Sequence, residues 1–188
     1  MSKVKISDWK EDGNRVTFKL KGVPVTFANA LRRSIMNRVP VYAIDEITVY
    51  ENTSAFFDEY IANRVGMIPI VTPDKFDEEV MFSVNAEGPT VIMSGSLEPS
   101  NPKVHVATKE IPIIELANKQ TLRIEGVARK KTGKVHAKFQ GGIASYEYTE
   151  EGEYTFIVES FGQMDASELI KRSLRELINK CKELEKSI

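Results

Sequence analysis

The sequence predicts a mixed α+β fold, in which a discontinuous domain of sheet and helices with a long C-terminal helix receives an inserted β-rich domain. Three observations favour it. Strand-like alternation occurs near both ends of the chain, in RVTFKLKG and YTFIVESFG. Short alternating runs separated by turn residues fill the region from Pro73 to Tyr148. The segment after Asp165 repeats apolar residues every three or four positions. We expect 1–50 and 147–188 to form the discontinuous domain and 51–146 the insert.

The N-terminal strand, ending at Gly22, leads into a helix that we expect Thr26 to cap. At 100° per residue, one stripe of this helix is suited to the core. It consists of Phe27, Ala30, Leu31, Ser34 and Ile35. Asn29, Arg33 and Met36 lie opposite this stripe, with Arg32 at its border. Pro40 ends the helix.

The next strand, VYAIDEITVY, has apolar residues on both faces, which predicts a central position in a sheet. A second helix is predicted from Ala55 to about Val65, with Phe57, Ile61 and Val65 on its apolar side.

The C-terminal helix is predicted from Ala166 to about Lys186, with Asp165 and Glu168 in a capping-box pattern. Its apolar residues follow a heptad spacing. They are Ile170, Leu174, Leu177, Cys181, Leu184 and Ile188, widened by Leu169 and Ile178. This seam could pack on the chain's own sheet or on a second chain. Its length favours a second chain, because the short first helix cannot cover it all.

Composition limits the function classes. The chain has 188 residues, 26 basic against 27 acidic, and a formal charge of -1, so no net positive field attracts nucleic acid or anionic lipid. Its only cysteine is Cys181, which excludes an internal disulfide and a thiolate metal centre. No signal-peptide core or membrane span is apparent, and a cytoplasmic protein without a cofactor or metal of its own is expected.

Catalysis by this chain alone has little support in the sequence. It has no phosphate-binding glycine loop at a strand-to-helix junction, and no nucleophile paired with a histidine. Asp45 and Glu46 are neighbours in a predicted strand, so they point to opposite faces. An alternative is a nucleic-acid-binding module that uses the basic loop 128–138, although aromatic residues for base stacking are lacking there apart from Phe139.

Several motifs, in order, carry a family resemblance. FANALRRSIMNRVPVYAIDEI and ENTSAFFDEYIANRVGMIPI are followed by the EGP turn, by HAKFQ and by FGQMDASELIKRSLREL. This series resembles the D-type subunits of archaeal DNA-directed RNA polymerase, the counterparts of bacterial alpha and of the third-largest subunit of eukaryotic polymerase II. Asn63 replaces a histidine that is frequent in the family, Phe139 a tryptophan and Gly141 a proline. Some members insert an iron-sulfur domain before the final strand. The segment from Tyr146 to Phe156 has no cysteine, which indicates the form lacking it.

The resemblance implies a discontinuous dimerisation domain that pairs with the smaller subunit L. The heterodimer would be a platform for the second-largest and largest subunits and the small zinc-bearing subunits N and P. It implies docking of the large subunits through Asn29, Arg32, Arg33 and Arg64. With the heptad seam, it implies a dimer interface of Phe27, Leu31, Ile35, Ile170, Leu174, Leu177, Cys181 and Leu184.

Overall fold

The computed structural model describes residues 3–149 and 152–188. Its strands are β1 (Lys5–Asp12), β2 (Arg15–Lys21), β3 (Val41–Asn52), β4 (Val80–Glu87), β5 (Thr90–Met93), β6 (Glu98–Pro99), β7 (Pro112–Leu116), β8 (Thr121–Lys131), β9 (Gly142–Tyr148) and β10 (Glu153–Ser160). Its helices are α1 (Val25–Asn37), α2 (Asp58–Gly66) and α3 (Ala166–Lys186). The predicted α+β class, with antiparallel sheets and a long C-terminal helix, is confirmed.

The chain divides into two compact units, one formed by Met1–Pro40 with Thr132–Ile188 and the other by Val41–Lys131. The boundaries therefore differ from the predicted 50/51 and 146/147. β3 pairs with β8 from Val41 opposite Lys131 onward, so the whole strand belongs to the insert. β9 pairs with β10 and belongs to the discontinuous unit.

The discontinuous unit has an antiparallel sheet in the order β1-β2-β10-β9. The predicted N-terminal strand proves to be a hairpin, with β1 and β2 joined at Gly13 and Asn14. Phe18 of β2 stacks on Phe156 of β10, with ring centroids 5.1 Å apart. α1 and α3 pack together and against strands of this sheet, so both helices bury one face in its core.

α1 begins at Val25, after Pro24, and no side chain caps its first turn, so the predicted cap by Thr26 is wrong. Proline at this position lacks an N–H and has a fixed φ, which suits the entry to a helix. The stripe buried in α1 consists of Ala28, Leu31, Ser34 and Ile35. Phe27, which was predicted to face the core, is 39% exposed.

The inserted unit has one sheet in the order β3-β8-β4-β6 and a second of β5 and β7. β3 is therefore an edge strand and not the central strand that its apolar composition predicted. Its first residues are buried because Tyr42 and Ile44 share a core cluster with Ile61 and Val65 of α2. Cover by α2, rather than pairing on both sides, accounts for the burial of Tyr42 and Ile44.

The buried phenol of Tyr42 gives the inserted unit a pH-dependent stability. Its hydroxyl donates to the Glu78 carbonyl oxygen at 2.8 Å. Burial, with the negative charges of Asp77 and Glu78, raises the pKa of Tyr42 to about 12 from its ordinary value of 10.0. Because the folded state holds this proton more tightly, the contribution is complete below pH 10 and is lost as the pH rises towards 12.

Tyr42→Phe removes this titration together with one hydrogen bond. We expect the variant to be less stable than the wild type by about 1 kcal/mol at pH 8. The difference should shrink between pH 10 and 12, as only the wild type loses the contribution of Tyr42. Denaturant unfolding of both proteins across this range measures it, and a difference that stays constant would contradict the assignment.

Candidate docking surfaces

The N-terminal half of α3 belongs to the chain's own core. Leu169, Ile170 and Ser173 are all buried, and Ser34 Oγ of α1 donates to the Ser173 carbonyl oxygen at 2.9 Å. Asp165 makes no capping hydrogen bond. Glu168 accepts instead from Arg172 Nε at 3.0 Å, so the predicted capping box does not form. This half of the seam therefore packs within the chain.

Three of the residues assigned to the dimer interface are consequently misplaced. Leu31, Ile35 and Ile170 are 3%, 0% and 4% exposed. They have almost no surface for a second chain, because α1 and α3 pack on each other and on the sheet. Helical periodicity identifies an apolar stripe, but it does not say where along a helix the intramolecular cover ends.

The C-terminal half of α3 presents an uncovered apolar surface, which we call the apolar face. It forms a groove of about 700 Å³ with Phe27 of α1 at one end. The apolar face consists of Phe27, Leu174, Leu177, Ile178, Cys181, Leu184 and Ile188. Ile178 is 52% exposed and Leu184 65%. Large apolar side chains grouped in this way mark a site for another protein surface rather than for water.

The geometry suits a helix of a second chain. α3 has 21 residues, and a helix of that length extends about 30 Å. Lys182 and Glu185 border the groove and provide a polar rim around an apolar centre, as protein interfaces do. Burial of the apolar face would contribute roughly 25 cal/mol for each Å² removed from water. The arrangement can therefore hold a partner tightly without any charged contact.

A second surface, the arginine face, consists of Asn29, Arg32 and Arg33 on α1. Arg32 is half-buried, and its Nη2 and Nε donate to Asn29 Oδ1 at 3.0 Å and 3.3 Å. Part of its donor capacity is therefore used within the helix. Arg33 is exposed, and no side-chain hydrogen bond or ion pair engages it among the described residues. The two adjacent arginines are thus not equivalent, and Arg33 is the one with its donors available.

Arg64, the fourth predicted docking residue, lies in the inserted unit. Its Nη1 donates to the Tyr60 hydroxyl at 3.2 Å, and its Nη2 donates to the Pro112 carbonyl oxygen. Its Nε is buried without an acceptor in the part of the chain that the structure describes. These contacts anchor the guanidinium between α2 and β7, beside a shallow cleft that Asn63 also lines.

Sequence reasoning missed an aromatic patch near Arg64. Phe57 was predicted to lie on the apolar side of α2, yet it is 81% exposed. The helix begins one residue later, at Asp58, whose carboxylate accepts from Asn52 Nδ2 at 2.7 Å. Phe56 and Tyr60 stack on each other with ring centroids 4.9 Å apart. Phe57 lies four residues before Ile61, which suggested a shared helical face. The suggestion was misleading, because Phe57 precedes the helix.

A comparison with protein families identifies the architecture. The family described as the RNA polymerase Rpb3/Rpb11 dimerisation domain matches residues 17–181. The chain belongs to this family. The matched range contains part of each segment of the discontinuous unit and the whole insert, so it includes the apolar face as far as Cys181 and the whole arginine face.

Relatives within the Rpb3/Rpb11 family are archaeal proteins described as DNA-directed RNA polymerase subunit Rpo3. The protein of Pyrococcus horikoshii is 46% identical over 77% of this chain and 60% of its own length. That of Methanocaldococcus jannaschii is 40% identical over 89% of this chain and 87% of its own length. That of Halobacterium salinarum is 30% identical over 94% of each. The chain thus spans less than two thirds of the Pyrococcus relative and most of the other two.

Three residues of the HAKFQ segment and its continuation have defined structural roles. Phe139 is fully buried. Gly141 accepts from the Phe161 N–H at 3.1 Å through its carbonyl oxygen. His136 Nδ1 accepts from the Lys138 N–H at 3.1 Å, a structural role. β9 ends at Tyr148 and β10 begins at Glu153, so four residues separate the two strands.

The basic loop 128–138 is poorly suited to nucleic acid. Arg129 Nη1 contacts Glu46 at 2.7 Å and its Nε contacts Glu79 at 2.6 Å, and the hydrogen bond and charge of Arg129 lower the pKa of Glu46. Lys131 Nζ pairs with Asp45 at 2.6 Å. Lys130 Nζ donates to the Phe76 carbonyl oxygen at 3.2 Å. The carboxylates paired with Arg129 and Lys131 reduce the net positive charge that this end of the loop presents to phosphates, which weakens the nucleic-acid-binding alternative. Lys134 of the same loop has no such pair among the described residues.

Within residues 3–149 and 152–188, no three or more histidine, cysteine, aspartate or glutamate side chains gather where a metal ion could bind. In the same part of the chain, no helix is both long and apolar enough to cross a membrane.

Proposed function

We propose that this chain is a non-catalytic assembly subunit of an archaeal-type DNA-directed RNA polymerase. It pairs through the apolar face with a smaller subunit of the L type, and the pair forms a platform for the second-largest and largest subunits. The small subunits N and P join the same assembly. The chain contributes to a nucleotidyltransferase without holding an active site of its own.

One observation carries this proposal: the apolar seam of α3 is buried as far as Ser173 and partly covered at Leu174 and Leu177, and beyond them its large apolar side chains are exposed. A continuous seam that is half inside a core and half outside it is suited to a second helical chain that completes the packing. The family, whose name specifies a dimerisation domain, supports this interpretation.

Docking of the large subunits through the arginine face is the second part of the proposal. A guanidinium group offers donors in a planar fork, which matches a carboxylate or a pair of carbonyl oxygens. Arg33 is exposed with such donors free among the described residues, and arginine is enriched at protein interfaces. Arg64 provides a further donor in the inserted unit.

Co-expression tests the pairing directly. The full chain is produced with a candidate L-type subunit from the same organism, and the mass of the purified species is measured by light scattering. We expect one copy of each chain, stable to dilution into the nanomolar range. If this chain stays a monomer beside its candidate partner, the proposed function is wrong.

A further inference from the structure

A concave site lies beside the C-terminal end of α1, and we call it the basic cleft. Its volume is about 260 Å³. It is lined by Ala30, Arg33, Asn37, Arg38, Lys134 and Leu177. Three of these side chains are cationic and none is acidic. Arg38 and Lys134 belong to neither surface described above, so the cleft extends the arginine face beyond its predicted residues.

The cleft is built by a close approach of the turn at 132–135 to the end of α1. A Cβ atom at Gly133 would lie 2.9 Å from the Met36 carbonyl oxygen and 3.2 Å from Asn37 Cα, both backbone atoms. Only glycine allows this approach without displacing the helix. Gln140 Nε2 donates to Asn37 Oδ1 at 3.1 Å and fastens the following segment to the same helix end. Lys134 is therefore brought next to Arg33 and Arg38 by packing.

Positive charge in the basic cleft is not neutralised within the chain. No ion pair or side-chain hydrogen bond engages Arg33, Arg38 or Lys134 among residues 3–149 and 152–188. The C-terminal end of a helix carries about half a negative elementary charge, which offsets only a fraction of three full positive charges. Elsewhere in the chain the comparable cations Arg129 and Lys131 contact carboxylates. The cleft thus retains an excess of donors.

We propose that the basic cleft binds carboxylates of an acidic segment on the large subunit that docks on the arginine face. This inference rests on the proposed function and names the chemistry of the partner at that site. Positive charges held close together repel one another, and a carboxylate placed between them relieves that repulsion. An acidic segment would therefore orient the partner on the cleft and speed its association with the chain.

A protein segment fits the cleft better than nucleic acid does. A volume of about 260 Å³ is below the roughly 300–1,000 Å³ of pockets for drug-sized ligands, so the cleft admits one or two side chains rather than a larger ligand. Ala30 and Leu177 provide apolar walls, and Leu177 also belongs to the apolar face, which makes the two surfaces continuous. The lining has no aromatic side chain on which a base could stack.

The double charge reversal R38E/K134E in the complete chain tests the inference. The variant is paired with the L-type subunit, and binding of recombinant second-largest subunit is measured by titration at about 50 to 500 mM NaCl. We expect affinity at least about tenfold below wild type at low salt, a flatter salt dependence, and unchanged pairing with the small subunit. The neutral variant R38Q/K134Q should fall between the two, and its unfolding midpoint checks that the fold persists.

The matched control is K5E/K10E, which makes the same charge change on exposed residues of β1. It should bind the large subunit like wild type. An R38E/K134E affinity within about twofold of wild type would overturn the inference, and so would an equal loss in K5E/K10E. Loss of duplex DNA binding by R38E/K134E without loss of large-subunit binding would assign the cleft to phosphate instead. If the wild-type pair itself does not bind the large subunit, the proposed docking fails independently of the cleft variants.

Discussion

Leu177→Asp is expected to abolish pairing with the smaller subunit while the chain itself still folds. Leu177 lines the apolar face, and the seam passes through it from the buried half of α3 to the exposed half. In the isolated chain the new carboxylate can reach water, because Leu177 is only partly buried. In the paired state it would lie among the side chains of the apolar face, where an enclosed charge without a partner costs about 3–5 kcal/mol. The cations of the basic cleft, which Leu177 also lines, offset part of this cost. Such a cost corresponds to roughly a hundredfold or greater loss of affinity.

Asn179→Asp is the matched control, because it adds the same charge two residues further along α3. At about 3.6 residues per turn it lies about 200° around the helix from Leu177, away from the seam. Sedimentation of each variant with the L-type subunit should give a mixture of separate chains for Leu177→Asp and a heterodimer for Asn179→Asp. Leu184→Asp, at a position 65% exposed, repeats the test with less risk to the fold. A heterodimer that survives both leucine substitutions would exclude the apolar face as the interface.

α3 illustrates what the sequence could predict and what it could not. Its bounds, Ala166–Lys186, agree with the prediction, because a strong heptad pattern between Asp165 and the chain end leaves few alternatives. The seam was expected to pack either in the chain's own core or on a second chain. In the structure its N-terminal half packs in the chain's own core, and its C-terminal half lines the exposed groove. Full burial ends at Ser173, and the cover by α1 becomes partial at Leu174 and Leu177. Where burial ends along α3 depends on how the other elements pack against it, and the periodicity of one helix carries no information about that packing.

The remaining errors share a local cause. The sequence of β3 is apolar on both faces, but helical cover by α2 and strand pairing produce the same pattern. Phe57 was assigned to α2 because propensity alone could not locate the start of the helix to within two or three residues.

At the candidate docking surfaces, the adjacent residues Arg32 and Arg33 were both predicted to dock the large subunits. Only the structure separates them, since Asn29 engages Arg32 three residues away on the same helix. Lys134 joined the cleft through a turn distant in sequence, which no local pattern could indicate.

Arg33→Glu should block recruitment of the second-largest subunit without changing the stability of the chain or its pairing with the small subunit. Arg33 is exposed and engages no acceptor in the described part of the chain, so the folded state loses no interaction. At the interface, removing one member of a buried, hydrogen-bonded charge pair costs about 2–5 kcal/mol. The lower limit corresponds to roughly a 30-fold weaker complex, and reversal adds repulsion between carboxylates.

The measurement is the yield of complex when the variant heterodimer is mixed with the second-largest subunit and separated by size. Lys10→Glu is the control, with the same charge change on exposed β1. Arg32→Glu provides a contrast, because it also breaks the contact with Asn29 and should lower the unfolding midpoint of the chain itself. Loss of recruitment in Arg33→Glu with an unchanged midpoint separates docking from folding. Normal recruitment would mean that the free guanidinium of Arg33 faces water in the assembled polymerase, and the arginine face would have to be reassigned.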